Sequence, residues 1–284
     1  MVTGCIISMG LLLCHSLVHP VFMAAISNSI IFTKHISLFV THKTKGIILK
    51  SIKYGETSII VTVFTELFGM QVYMVKGVRQ QSKKGASAFS SFQPAAILQM
   101  EVYHNELKKL QFIKEYQWAI LYENIFFDVI KNAVAMFIIE ITQHSIKQPE
   151  PNQELFSFMA DTLQKIDKST EATVANVPLW YSLKLAAVLG LGIQGIYSTH
   201  TPLLDLQEGF FTNQLPSHLH YVTGEEAQIT AQLNNSRSYE QLANIQFSRK
   251  IRRTLFEIYQ QYFLLHIEGF TELKSIKVLQ EVFD

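Results

Sequence analysis

The chain has 284 residues, of which 48% are hydrophobic and 17% charged, with a formal net charge of +1. That balance excludes a disordered or fibrous polypeptide and allows one or two domains, each large enough to bury a core. The near-neutral total conceals a segregation: residues 43–116 carry 11 Lys/Arg against 5 Asp/Glu, residues 117–284 carry 12 against 18, and residues 1–42 carry only Lys34.

The first 33 residues contain no charged side chain. They fit export templates poorly, because a signal peptide wants a basic start, an unbroken apolar stretch and a small-residue cleavage site. His15, Ser16, His19 and Pro20 interrupt the apolar run, Leu13 stands before Cys14, and the segment is too broken for a membrane span. Residues 1–41 therefore read as a non-native or unstructured hydrophobic extension, with translation starting near Val40; an export signal or anchor and a folded helix are the alternatives. Cys5 and Cys14 are the two cysteines, so a disulfide framework or cysteine-rich zinc site is excluded beyond them.

From Lys43 to Tyr116 the pattern is that of short strands. Lys45 to Lys53 is rich in β-branched residues, and Ser58 to Phe64 and Met70 to Lys76 flank a five-residue loop ending in Gly69, which predicts a hairpin. Ile97 to Tyr103 and Lys108 to Lys114 form a second pair, the former alternating as a half-buried strand does. Five strands in about 70 residues, broken after the third, suit a small closed barrel. Helical periodicity then predicts a buried helix over Trp118 to Ile146 and a second one to Ile166 with Pro151 at its first position. A third is predicted over Val177 to Leu189, stopping at Gly190-Leu191-Gly192. Residues 193–224 have no clear period. Ser238 with Gln241 forms a capping box, Ile251, Leu255, Ile258, Tyr262 and Leu265 keep a helical stripe until Gly269, and Leu273 to Phe283 closes the chain as a short helix.

The chemistry concentrates in the barrel. Lys43, Lys45, Lys50 and Lys53 accompany the first strand, Lys76, Arg79, Lys83 and Lys84 follow the third, and Lys108, Lys109 and Lys114 attend the fifth. Such clusters attract phosphates by charge, with counterion release supplying free energy, while exposed aromatic rings stack bases without reading sequence. Tyr73, Phe89, Phe92 and Tyr103 are the candidate platforms. The competing reading is a solvated lysine face that keeps a small domain soluble. Arg249, Lys250, Arg252 and Arg253 open the long C-terminal helix, where cations oppose the helix dipole. They either continue a polyanion track or pair with acids such as Glu240 and Glu257. His200, Asp205, His218 and His220 have the residue types for zinc, but no thiol accompanies them and no metal is expected. His266 reads as a hydrogen-bonded boundary residue. No phosphate loop, dinucleotide fingerprint or nucleophile elbow occurs, so no enzyme is expected.

Residues 42–80 (HKTKGIILKSIKYGETSIIVTVFTELFGMQVYMVKGVRQ) resemble the N-terminal domain of the RecO recombination mediators. The likeness lies in the Thr-Lys-Gly-Ile start, the Tyr54-Gly55-Glu56 turn, the Thr65 to Gly69 turn and the Lys76-Gly77-Val78-Arg79 ending. Residues 262–283 resemble that family's last helices, with Leu273-Lys274-Ser275 as the step between them. The resemblance implies an α+β protein: a five-stranded OB-fold barrel at 42–117, then an all-helical domain at 118–284 with an irregular insertion at 193–224. It implies a cytoplasmic, nucleoid-associated DNA repair and recombination mediator without catalysis or cofactor. Such a protein binds single- and double-stranded DNA, anneals complementary strands, works with RecR, docks the C-terminal tail of the single-strand-binding protein, and helps load RecA. The family's basic face maps onto Lys45, Lys50, Lys53, Lys76, Arg79, Lys83 and Lys84; Lys108, Lys109 and the Arg249–Arg253 cations rest on charge alone. Many members carry a four-cysteine zinc module where residues 193–224 have no cysteine, so no structural zinc is expected. The alternative function is a docking adaptor whose barrel binds an acidic partner rather than DNA.

Overall fold

The computed structural model describes residues 40–79, 88–146 and 150–283, within a compact unit beginning at Val40. Of the sequence expectations, Lys83, Lys84 and all of 1–41 except Val40 and Thr41 lie outside the described residues.

Five strands, β1 (Thr41–Tyr54), β2 (Ser58–Thr65), β3 (Gly69–Val75), β4 (Ile97–Tyr103) and β5 (Gln111–Ile120), close into a barrel of order β1-β2-β3-β5-β4. β1 is 14 residues long because it serves two neighbours: its first half pairs with β4 and its second with β2. A register shift between Ile48 and Lys50 bends the strand from one role to the other, as β-bulges do. Closure comes from a short parallel pairing of β3 with β5, at Tyr73 opposite Gln111 and Met74 opposite Phe112. Inward-pointing Ile48, Ile59, Val61, Val63, Tyr73, Leu98, Met100 and Val102 fill the barrel, with Phe92 plugging it. Gly46 leaves room for that filling, since a Cβ there would stand 2.4 Å from Met100 Cε and 2.5 Å from Val63 Cγ1.

On the outer surface Ile47, Leu49, Phe64 and Ile97 are also buried, because the helices pack over them in a continuous core. These helices are α1 (Val129–Ser145), α2 (Gln153–Lys168), α3 (Glu171–Val188), α4 (Gly224–Asn235), α5 (Tyr239–Ala243), α6 (Arg249–His266) and α7 (Ser275–Val282).

Several sequence boundaries move. Trp118 to Ile120 extend β5, paired with Leu98 and Ile97, so the barrel passes the expected end at 117 and α1 begins eleven residues after Trp118. Tertiary pairing overrides a segment whose apolarity alone suits a helix. The link from β5 to α1 is pinned by Asp167 on α2, which accepts the N–H groups of Glu123 (2.9 Å), Asn124 (2.8 Å) and Ile125 (2.9 Å). Pro151 precedes the Asn152 cap rather than occupying the first helical position of α2. α3 starts at Glu171, with Pro178 inside it, six residues before the expected start. The expected all-helical domain is largely helical: residues 193–224 hold a small sheet of β6 (Leu203–Asp205), β7 (Phe210–Thr212) and β8 (Tyr221–Val222), order β7-β6-β8. The Ser238–Gln241 capping box is present but opens the five-residue α5, and α6 takes its own cap from Ser248.

Candidate nucleic-acid interface

Strand register assembles a site that no single strand displays. Ile52 lies opposite Ile60, Ile60 opposite Met74, and Met74 opposite Phe112, so four apolar side chains form a row across β1, β2, β3 and β5. The row faces outward, since the residues flanking it along β2 and β3 (Ile59, Val61, Tyr73, Val75) are buried inside the barrel. Ile52 is 47% exposed, and Ile60, Met74 and Phe112 are half-buried. Tyr54, 51% exposed, stands at the end of β1 on the same side as Ile52 by alternation.

Cations border this row. Lys50 points out two residues before Ile52, opposite Thr62, which in turn faces Val72. Lys53, across from inward-pointing Ile59, is exposed at the strand end by the β1–β2 turn rather than on the face of Ile52. Lys76 follows β3, its Nζ 5.2 Å from the centroid of the Phe112 ring, a distance at which ammonium and ring attract. Arg79 fixes the turn: its N–H donates to Thr57 O at 3.0 Å and its Nη1 to Gly55 O at 3.0 Å. Lys108 and Lys109 project from the β4–β5 loop, whose form is set by the buried Gln111 amide. Gln111 Nε2 donates to Asn105 O (2.8 Å) and Lys108 O (2.6 Å), and its Oε1 accepts from Asn105 N–H (3.0 Å).

Lys43 and Lys45 lie in another sector. Their outward neighbours across β4 and β5 are Glu101 and Gln99, then Glu115 and Gln117. Lys114 Nζ meets Glu101 Oε1 at 2.7 Å and Thr41 Oγ1 donates to the same oxygen at 2.6 Å. The hydrogen bond from Lys114, seconded by that from Thr41, holds the Glu101 carboxyl below its ordinary range and raises the Lys114 ammonium. Three lysines against two carboxylates leave this sector largely compensated. Among the described residues, only Lys114 of the barrel cations makes such an ion pair, and no carboxylate lies within 4.0 Å of Lys43, Lys45, Lys50, Lys53, Lys76, Arg79, Lys108 or Lys109.

Of the aromatic platforms expected from sequence, Tyr73 and Phe92 are in the barrel core, and burial pushes the Tyr73 hydroxyl far above its usual range. Phe89 is 40% exposed, and Tyr103 is half-buried opposite Phe112. Phe112 itself was not anticipated, because in Lys108 to Lys114 it reads as one apolar residue among lysines; only the β3–β5 pairing reveals its neighbours.

At the start of α6, Arg249, Lys250 and Arg253 are exposed, whereas Arg252 turns inward. Its Nη1 donates to Asn176 Oδ1 (3.0 Å) and to Ala175 O, and its guanidinium lies 4.7 Å from the Phe247 ring centroid and 5.3 Å from that of Phe283. Burial pulls this guanidinium down to about 10. Arg252 is therefore a packing residue rather than an open surface cation, a distinction invisible in a run of four basic residues. Of the two readings of this cluster, pairing with Glu240 or Glu257 is not made by Arg249, Lys250 or Arg252.

The histidines have separate partners. His218 Nε2 is 3.5 Å from Asp205 Oδ2, His220 Nδ1 is 2.7 Å from Gln261 Nε2, and His266 Nε2 is 2.8 Å from Leu206 O. Among the described residues no three metal-type side chains converge, and no helix is long and apolar enough to cross a membrane.

The family model described as "Recombination protein O N terminal" matches residues 39–122, and "Recombination protein O C terminal" matches 127–275. A DNA repair protein RecO from Azobacteroides pseudotrichonymphae is 29% identical over 243 residues, covering 86% of this chain and 99% of the relative. Those from Flavobacterium psychrophilum and Christiangramia forsetii are 34% and 30% identical, covering 85% and 84% of this chain and 98% of each relative.

Proposed function

The chain belongs to the RecO family of DNA repair and recombination proteins, and from that premise we propose that its barrel binds DNA and anneals complementary strands. The observation that carries this reading is the apolar row Ile52–Ile60–Met74–Phe112 bordered by Lys50, Lys76, Lys108 and Lys109, with Lys53 at the adjoining strand end. Unstacked bases lie against the row, where contact is sequence-tolerant. The sugar–phosphate chain runs along the lysines and releases its condensed counterions. In OB-type barrels the face of strands two and three, with the loops beside it, is the usual oligonucleotide surface; here those are β2, β3, the β1–β2 turn and the β4–β5 loop. Neutralised on one side, the bound strand repels an incoming complement less, and bases held open are free to pair. No covalent bond is made or broken.

Family membership extends the proposal to the partners: RecR, the C-terminal tail of the single-strand-binding protein, and RecA, which the complex helps to load onto coated DNA in the cytoplasm. The family resemblance adds Lys83 and Lys84, outside the described residues, to the DNA-binding residues proposed.

The test is annealing of two complementary oligonucleotides, one labelled with a donor and one with an acceptor dye, by the full-length chain at 50 and 200 mM NaCl. Accelerated pairing that fades at the higher salt is expected. Failure to accelerate pairing at low salt, with tight binding of an acidic peptide but no oligonucleotide, overturns the proposal in favour of a docking adaptor.

A further inference from the structure

A second cationic patch lies away from the barrel. Four of the twelve Lys/Arg in residues 117–284 fall within Arg249–Arg253, an island in an otherwise acidic segment. Arg249 lines two clefts: one of about 560 Å³ with Phe247, Arg252, Phe283 and Glu171 in its walls, and one of about 420 Å³ with Lys250, Arg253, Thr254 and Glu257. Glu171 and Glu257 are the carboxylates on the rims, and neither comes within 4.0 Å of Arg249, Lys250 or Arg252. Because cations in a first helical turn oppose the dipole, stabilising α6 does not account for them.

Arg252 organises the patch. Asn176 gives it Oδ1 and donates its own Nδ2 to Leu242 O and Ile245 O, both at 2.8 Å, which ties the α5–α6 connection to α3. Arg252, packed between two rings, frames the cleft, and the exposed Arg249 and Lys250 beside it have no carboxylate within 4.0 Å among the described residues. An anion arriving at Arg249 and Lys250 meets a cleft wall already ordered by Arg252, Phe247 and Phe283, so little conformational freedom of that wall is lost on binding. Fixed positive charge beside aromatic walls suits a sugar–phosphate chain with unstacked bases.

We propose that the clefts around Arg249, Lys250 and Arg252 form a second nucleic-acid site, on α6 rather than on the barrel, which holds the partner strand during annealing. This rests on the reading of the barrel given above. One chain then binds two strands, one per site, and the local acidity of the helical region confines the second strand to this patch.

The experiment uses the full-length chain, its Arg249→Glu/Lys250→Glu variant and the gentler Arg249→Gln/Lys250→Gln variant, all checked for unchanged thermal melting. The probe is a fluorescein-labelled oligothymidylate of about 12 nucleotides, titrated at protein concentrations that give stoichiometry. Two equivalents per chain are expected for the parent and one for either variant, with the tighter equivalent unchanged within about twofold and annealing slowed at least about tenfold. One equivalent on the parent, or two on both variants with parental annealing, overturns the second site while leaving the barrel reading standing. Loss of poly-glutamate binding without loss of an oligonucleotide equivalent also overturns it, and reassigns the patch to an acidic polypeptide. Absence of binding by all three proteins overturns the barrel reading as well.

Discussion

Removing the two loop lysines, by Lys108→Gln with Lys109→Gln, should change the salt dependence of DNA binding by a calculable amount. Four exposed lysines border the apolar row, Lys50, Lys76, Lys108 and Lys109, and a fifth, Lys53, stands at the adjoining strand end. Each phosphate neutralised on a single strand contributes about −0.7 to the slope of log K against log salt, so these five lysines should contribute a slope of about −3.5. Between 50 and 200 mM salt that slope lowers affinity by roughly 100-fold. The double variant should keep about −2.1 of that slope and, at 0.1 M salt, bind about 25-fold more weakly, near 2 kcal/mol. Stability should be unchanged, because the loop is shaped by the buried Gln111 amide and the lysine head groups are exposed. The assay is fluorescence anisotropy of a labelled oligothymidylate at four salt concentrations, read for its tighter equivalent. Lys43→Gln with Lys45→Gln is the internal control: that pair sits beside Glu101 in the compensated sector, so its slope should stay near the parent's. Equal slopes for parent and loop variant, or a larger effect from the control pair, would refute the placement of the strand on the β2–β3 face.

Phe112→Ala should weaken single-strand binding by about 1–3 kcal/mol, since one stacking surface is lost, and should affect fully paired duplex far less; anisotropy with matched single- and double-stranded probes checks this. Asp167→Ala, which strips three backbone N–H groups of their acceptor, should destabilise the protein by about 3 kcal/mol in urea unfolding with an unchanged m-value. Burial works to raise the Asp167 carboxyl, yet the three N–H donors and Lys131 outweigh it and hold the group below its ordinary range. A depressed native value gives stability that is fully present above about pH 4 and is lost as pH falls through the folded value; Asp167→Asn should flatten that part of the stability–pH curve, and a curve identical to the parent's would disprove the assignment. Gly46→Ala should cost about 1–3 kcal/mol by overpacking against Met100 and Val63, read as a lower melting temperature with DNA binding per folded molecule intact.

The barrel was legible in the sequence because each of its first four strands alternates or is rich in β-branched residues between turn residues, a pattern that survives without knowledge of partners. Its far edge was not: Trp118, Ala119 and Ile120 have the apolarity of a helix start, and only their pairing with β4 makes them strand. Pro178 masked the beginning of α3, since proline argues against a helix interior from sequence alone. The strands β6, β7 and β8, two or three residues each, are shorter than any periodicity can register. The cationic character of the candidate surface followed from counting charges, but its division into a compensated sector around Glu101 and an open one around Phe112 depends on register. Charge counting likewise could not separate Arg252, sandwiched by Phe247 and Phe283, from its exposed neighbours.

The outward side chains Ile47, Leu49, Phe64 and Ile97 make the barrel wall and the helical core one hydrophobic mass. Such a chain has no seam along which to part: a fragment ending after β5 would present a greasy flank to water and clump, however well its strands closed. Heat should accordingly melt barrel and helices together in a single calorimetric peak, and a strand gripped on the barrel is gripped by barrel and helices at once.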